Sequence, residues 1–145
     1  MPKVLIKKLS PNVELPAYKT NGASGMDLMA FIKEPIKIVP NSSYLVPTGL
    51  SMAFSEGYEV QIRPRSGLAS KNNITVLNTP GTIDSDYRGE IKIILFNHGK
   101  EDFLINNKDR VAQMILTPVV KMEFEETDNL PDTLRGEGGF GSTGK

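Results

Sequence analysis

Turn-forming residues interrupt this chain about every ten residues, and the apolar segments left between them have the length of strands rather than helices. Ten prolines and thirteen glycines do most of the interrupting. Pro11, Pro16 and Gly22 exclude a long helix near the start. The apolar runs at 3–9, 26–32, 36–39, 43–54, 74–77, 90–97 and 103–105 are expected as strands. Residues 58–63 alternate, with Tyr58, Val60 and Ile62 on one face and Glu59, Gln61 and Arg63 on the other. Pro47 and Gly49 interrupt the 43–54 run and imply an edge or a bulge there. Residues 110–117 fit helix or strand by pattern; their brevity and Pro118 favour a strand, and 119–124 is expected to continue as another. The one helix expected is short, 66–72, with Ser66 as its cap and Asn72–Asn73 as its end. Without a repeat, a heptad pattern or a long amphipathic helix, the chain is expected to be all-β: a barrel or sandwich with one short helix.

Composition limits the functions open to it. The chain has 145 residues, enough for one domain with a proper core, and 39% of them are apolar. Seventeen basic residues balance seventeen acidic ones. Such neutrality argues against broad electrostatic capture of nucleic acid, though a few local donors can still hold a nucleotide. The absence of cysteine excludes a disulfide framework and a thiolate zinc site, and a single histidine, His98, excludes a histidine metal cluster. No apolar run has the length of a transmembrane helix and the N-terminus has no secretory h-region, so an intracellular, cytoplasmic protein is expected.

Polar residues gather in a few places. At 78–91 (N-T-P-G-T-I-D-S-D-Y-R-G-E-I), Pro80–Gly81 marks one turn and Gly89 another, and between them lie Asp84, Asp86, Tyr87 and Arg88. This is either an ordinary hairpin or a site. At 63–70, Arg65, Ser66 and Gly67 stand at the start of the expected helix, where donors and helix dipole favour an anion; a solvated arginine beside a capped helix fits equally. Asp27 is a lone acid in an apolar segment and needs either an arginine or the water of a metal ion. Gln113 is the odd polar residue of its run. His98 reads as part of a turn. The composition changes only after residue 126, and five glycines fall in the last eleven residues. That tail lacks the phosphate-loop spacing G-x-x-x-x-G-K-[ST], and a terminal linker fits it. Yet Arg135, Phe140, Ser142 and Thr143 among its glycines suit a stacked base and a held phosphate.

Five stretches together, S-G-M-D-L (24–28), R-S-G-L-A (65–69), the run 78–91, D-R-V-A-Q-M-I (109–115) and R-G-E-G-G-F-G-S-T-G (135–144), resemble in order and spacing the five motifs of the trimeric dUTP pyrophosphatase (dUTPase) family. None of their motif positions is clearly broken. The resemblance implies a jelly-roll-like β-barrel or sandwich assembled as a homotrimer with sites shared between subunits. It also implies Mg2+-dependent hydrolysis of dUTP to dUMP and pyrophosphate by water attack on the α-phosphorus. That reaction limits uracil incorporation into DNA and supplies dUMP for thymidylate synthesis.

It further implies a residue for each task. Asp84 is the general base. Asn78, with the backbone around Thr82 and Ile83, reads the uracil edge, and Tyr87 packs under the deoxyribose. Arg65, Ser66, Gly67 and Gln113 hold the phosphates. Residues 1–134 form the β domain, and 135–145 is a mobile tail closing a neighbouring subunit's site, with Arg135, Gly141, Ser142 and Thr143 on the phosphates and Phe140 over the base. Asp27 acts through water on Mg2+, and Asp86 and Arg88 pair structurally at the interface. Two other readings stay open at this level: a dCTP deaminase of the same fold, which the I-D-S-D-Y hairpin disfavours, and a non-catalytic nucleotide-binding trimer, which Asp84 and the tail disfavour.

Overall fold

The structure, a computed structural model, describes residues 1–142. Eleven strands and one helix run in the order β1 (Leu5–Lys8), β2 (Met26–Met29), β3 (Ile36–Ile38), β4 (Ser43–Pro47), β5 (Leu50–Ala53), β6 (Tyr58–Arg63), α1 (Ser66–Asn72), β7 (Ile74–Val76), β8 (Gly81–Ile83), β9 (Lys92–Asn97), β10 (Phe103–Ile105) and β11 (Arg110–Pro118). All pairings are antiparallel. A four-stranded sheet, β2-β11-β6-β8, and a three-stranded sheet, β4-β9-β7, are accompanied by the pairs β1-β5 and β3-β10. This is the all-β sandwich that the turn spacing predicts, of the jelly-roll-like form that the family resemblance implies.

Period-two alternation decides which side chains enter the core. Along β6, Val60 and Ile62 are buried. Along β9, Ile93, Leu95 and Asn97 are buried while Lys92 points outward. Val60, Ile62, Ile93 and Leu95 join Leu28, Ile38, Val46, Ile74, Val76, Ile105 and Val111 in one apolar cluster, with Asn97 buried as well. Asn97 is tolerated there because its polar atoms have partners. Its Nδ2 donates to the carbonyls of Ile38 (2.9 Å) and Glu101 (2.8 Å), and its Oδ1 accepts from the Gly99 amide (2.8 Å). Its neighbour His98 sits in the turn as expected, its ring 4.4 Å from that of Phe96.

Local structure departs from the sequence expectations in four places. Helix α1 spans the expected residues, but its N-cap is Arg65, in extended conformation and without a side-chain capping bond; Ser66 is the first helical residue. Its other end is as expected, with Asn73 left-handed at φ 56°. Gly81 is not in a turn. The turn lies at 77–80, and Gly81 opens β8 opposite Ile62, where a Cβ would stand 3.2 Å from the Ile62 Cβ. The 43–54 run splits at Thr48–Gly49 into β4 and β5, which belong to different sheets and are edge strands, as Pro47 and Gly49 imply, and Gly49 takes φ +68° to turn the corner. The regular bulge lies elsewhere, in β11 between Arg110 and Ala112. Finally, 119–124 is not a strand: pairing ends at Pro118.

Candidate active site

The loop that follows β8 builds a cavity. Residues 78–90 leave β7, cross the turn, pair with β6 as β8 and return along a bend at Gly89 to β9. Beside them lies a cavity of about 460 Å³, within the range of small-ligand sites. Asn78, Gly81, Thr82, Ile83, Asp84 and Tyr87 line it. The hairpin thus brings five of the predicted site residues, Asn78, Thr82, Ile83, Asp84 and Tyr87, to one hollow. Asp84 is exposed, and its carbonyl accepts the Tyr87 amide (3.1 Å) in the loop's tight turn. Arg88 braces that turn, its Nη1 donating to the carbonyls of Ser85 (2.7 Å) and Tyr87 (3.1 Å). Arg88 therefore serves its own loop, and Asp86 forms no ion pair among the described residues.

Sequence reasoning missed Leu45, Glu90, Lys92 and Ile94, which also line it. The signal for two of them was present. In E-I-K-I the alternation that buries Ile91 and Ile93 turns Glu90 and Lys92 the other way.

A second cluster forms where β2, β11 and the start of α1 meet. Gln113 and Asp27 are register partners on neighbouring strands. The Nε of Arg65 donates to Asp27 Oδ1 at 2.9 Å, and Arg110 Nη1 donates to Asp27 Oδ2 at 3.2 Å. Arg65 Nη1 also reaches the Arg110 carbonyl (3.2 Å). Asp27 therefore finds the arginine partners that a half-buried carboxylate needs. Two guanidiniums against one carboxylate leave one positive charge uncompensated, suited to an anion. Gln113 Nε2 donates to the Pro64 carbonyl (2.9 Å), fixing the residue pair that leads into Arg65. Gly25 makes this possible: a Cβ there would stand 2.8 Å from Gln113 Oε1. Ser66 and Gly67 are exposed on the first turn of α1, whose leading amides have no intrahelical acceptor.

The described residues contain no group of three or more acidic or histidine ligands able to cage a metal ion. A carboxylate offers about four lone-pair sites, and the arginines take one bond on each Asp27 oxygen. The donor set fits a hydrated ion touched through water and carried by its ligand, not a protein-held one.

The tail is a third, separate group. Its hydrogen bonds are internal: Gly136 to Thr133 (3.1 Å), Gly138 to Arg135 (3.1 Å), Ser142 to Gly139 (3.0 Å), with Arg135 Nε donating to the Gly138 carbonyl (2.7 Å). Phe140 is fully exposed at φ 51°, followed by Gly141 at φ 84°. Arg135, Phe140, Gly141 and Ser142 line neither cluster within the one chain; Thr143 lies outside the described residues.

The dUTPase family model matches residues 11–144. The chain is 56% identical to a deoxyuridine 5'-triphosphate nucleotidohydrolase of Nautilia profundicola over 143 residues, 99% of each chain. It is 52% identical to the protein of that name in Fusobacterium nucleatum over 146 residues, 100% of each chain. In fold it resembles a Staphylococcus bacteriophage 80alpha dUTPase solved with dUpNHpp (TM-score 0.84, 24% identity, 99% of each chain). A mutant dUTPase from phage phi11 of S. aureus, in which a structural Mg(II) ion is coordinated, has the same fold (TM-score 0.79, 20% identity, 90% of this chain and 99% of that one).

Proposed function

The chain belongs to the dUTPase family and is a dUTP diphosphatase, and from that premise we propose which of its residues do the work. The observation that carries the proposal is the hairpin cavity, where an exposed carboxylate, Asp84, shares a hollow with Asn78, the β8 backbone and the ring of Tyr87. Uracil sits in this cavity. Asn78 and the main chain around Thr82 and Ile83 pair with its edge, so that cytosine, with donors and acceptors exchanged, leaves buried groups unpaired. Tyr87 supports the deoxyribose. Asp84 takes a proton from water as the water oxygen bonds to the α-phosphorus, and pyrophosphate leaves with the electron pair of the broken P–O bond.

Arg65, Ser66, Gly67 and Gln113 hold the phosphates, supported by the positive charge that Asp27 leaves uncompensated. Mg2+ bound to the triphosphate would offset charge on its oxygens, and Asp27 would touch that ion through water. The tail, 135–145, closes over the nucleotide with Arg135, Gly141, Ser142 and Thr143 at the phosphates and Phe140 on the base. The β domain is 1–134. Because the three groups of residues do not meet within one chain, we assign them to different subunits of a homotrimer. The product dUMP feeds thymidylate synthesis, and removal of dUTP keeps uracil out of DNA. A cytoplasmic location suits that role; among the described residues no helix is long and apolar enough to cross a membrane.

The test is Asp84→Asn. A base acts in the reaction rather than in the ground state, so pyrophosphate release is expected to fall by about 10²–10⁴-fold while calorimetry records dUTP-analogue binding near the wild-type Kd. Wild-type turnover in this variant would remove Asp84 from its role.

A further inference from the structure

The wall of the cavity that carries Tyr87 is fastened by contacts that strand pairing does not require. The Tyr87 hydroxyl donates to the Glu90 carbonyl at 2.9 Å, closing a small loop. Within that loop Gly89 lies directly against the ring: a Cβ on it would stand 2.3 Å from Tyr87 Oη and 2.5 Å from Cζ. The Glu90 side chain reaches into the sandwich. Its Oε1 accepts the Gly49 amide at 2.9 Å, and its Oε2 lies 3.9 Å from Lys92 Nζ. Gly49 is itself immobilised, buried beside Val13 and Phe31 with its carbonyl accepting the Leu9 amide (2.8 Å). The next residue along is held as well: the Ile91 amide donates to Leu50 (2.8 Å) and its carbonyl accepts the Thr48 hydroxyl (2.6 Å). An unbroken series of contacts therefore runs from the core through Gly49 and Glu90 to the tyrosine hydroxyl. Tyr87 is nonetheless 44% exposed, so burial alone does not hold its ring.

We propose that Gly89 and Glu90 are positioning residues for sugar selectivity: they fix the Tyr87 ring so that the cavity rejects a nucleotide bearing a 2′-hydroxyl. The proposal rests on the reading of Tyr87 as the support of the deoxyribose. A steric wall discriminates only if it cannot yield. An unfastened, half-exposed tyrosine turns about χ1 and χ2 and makes room for one oxygen atom. Gly89 supplies the space the ring needs in its working position, the Glu90 carbonyl fixes the hydroxyl, and the Glu90 carboxylate fixes that carbonyl.

The readout is the ratio of kcat/KM for dUTP to that for UTP. Gly89→Ala pushes the ring away, and Glu90→Ala releases its anchor. Each is expected to lower the ratio at least about tenfold, chiefly by raising kcat/KM for UTP. Tyr87→Phe severs the hydroxyl bond while keeping the ring and shifts the ratio the same way. Glu90→Gln keeps an acceptor for the Gly49 amide and retains most of the wild-type ratio. Should Gly89→Ala fail to fold, Glu90→Ala and Tyr87→Phe decide. If these variants lose kcat/KM equally for both nucleotides, or leave the ratio unchanged, the positioning role is wrong. Tyr87→Ala separates this from the underlying reading. An unchanged ratio there removes Tyr87 from the sugar site. A relaxed ratio there, with Glu90→Ala and Gly89→Ala unaffected, overturns only the proposal made here.

Discussion

Asp27 joins two arginines that are far from it in the chain, Arg65 by 38 residues and Arg110 by 83. Its carboxylate is less than a quarter exposed, so the bond to Arg65 is screened far less than a surface pair. Replacing Asp27 with Asn removes the charge that sets both guanidiniums and leaves them to repel each other. Asp27→Asn is therefore expected to lower kcat/KM for dUTP by about 10–100-fold, mostly through KM. Steady-state kinetics in low and high salt would check it; an unchanged KM would show that Arg65 is held without its partner. Glu14 makes a different residue-scale case. The hydrogen bond from Lys108, and then that residue's charge, hold the Glu14 carboxyl below its ordinary value. A folded pKa below the unfolded one contributes stability that is present above the unfolded pKa and lost as pH falls through the folded one. The pair is on the surface, so salt weakens it. Urea midpoints of wild type and Glu14→Gln are expected to differ slightly at neutral pH and converge in acid or high salt, and a difference that persists in acid would exclude the ion pair as its source.

The elements differ in how far a sequence can announce them. Alternation in Tyr58–Arg63 buries Val60 and Ile62, and the β-branched run in Lys92–Asn97 suits a strand, so both strands are legible from local sequence alone. The short helix is legible at its αL end, where Asn73 must adopt a positive φ, and not at its start, where extended Arg65 is the N-cap and is bonded to Asp27 instead. Gly81 looks like a turn residue because spacing cannot distinguish glycine that bends a chain from glycine that lets Ile62 approach. The misplaced strand at 119–124 is the most instructive. Val120, Met122 and Phe124 do alternate, yet they are 93%, 81% and 87% exposed, because nothing among the described residues covers them. The Asp27 pairing and the Glu90 bond to the Gly49 amide depend on contacts between distant strands, which no local pattern encodes. The tail is an element whose bonds run within 133–142. Deleting 135–145 is thus expected to leave the circular dichroism and Tm of the β body nearly unchanged while kcat/KM falls by about 10²-fold or more, from lost orientation and charge stabilisation. Loss of folding on deletion would make the tail a structural segment.

At the scale of the whole molecule, the difficulty is that one chain holds the parts of a site without assembling them. The hairpin cavity holds Asp84 and Asn78, the proposed base and uracil reader, the Asp27–Arg65–Gln113 cluster carries the excess positive charge, and the described tail residues line neither. The proposed cyclic trimer would resolve this by setting the cavity of one subunit against the cluster of the next. Subunit complementation tests the arrangement without a structure of the assembly. Chains with Asp84→Asn and chains with Arg65→Met are each expected to be nearly inactive as pure oligomers. Co-refolded in equal amounts, they form mixed trimers. In these, a site that takes Asp84 from one chain and Arg65 from another is intact whenever the first comes from the Arg65→Met chain and the second from the Asp84→Asn chain. Random assembly then restores about one quarter of wild-type sites. If instead both residues of a site belong to one chain, every site keeps a defect and mixing restores nothing. Native mass spectrometry of the same sample establishes whether mixed trimers formed. Mixed trimers without recovered pyrophosphate release would refute the shared site, and a monomeric protein would refute the trimer itself.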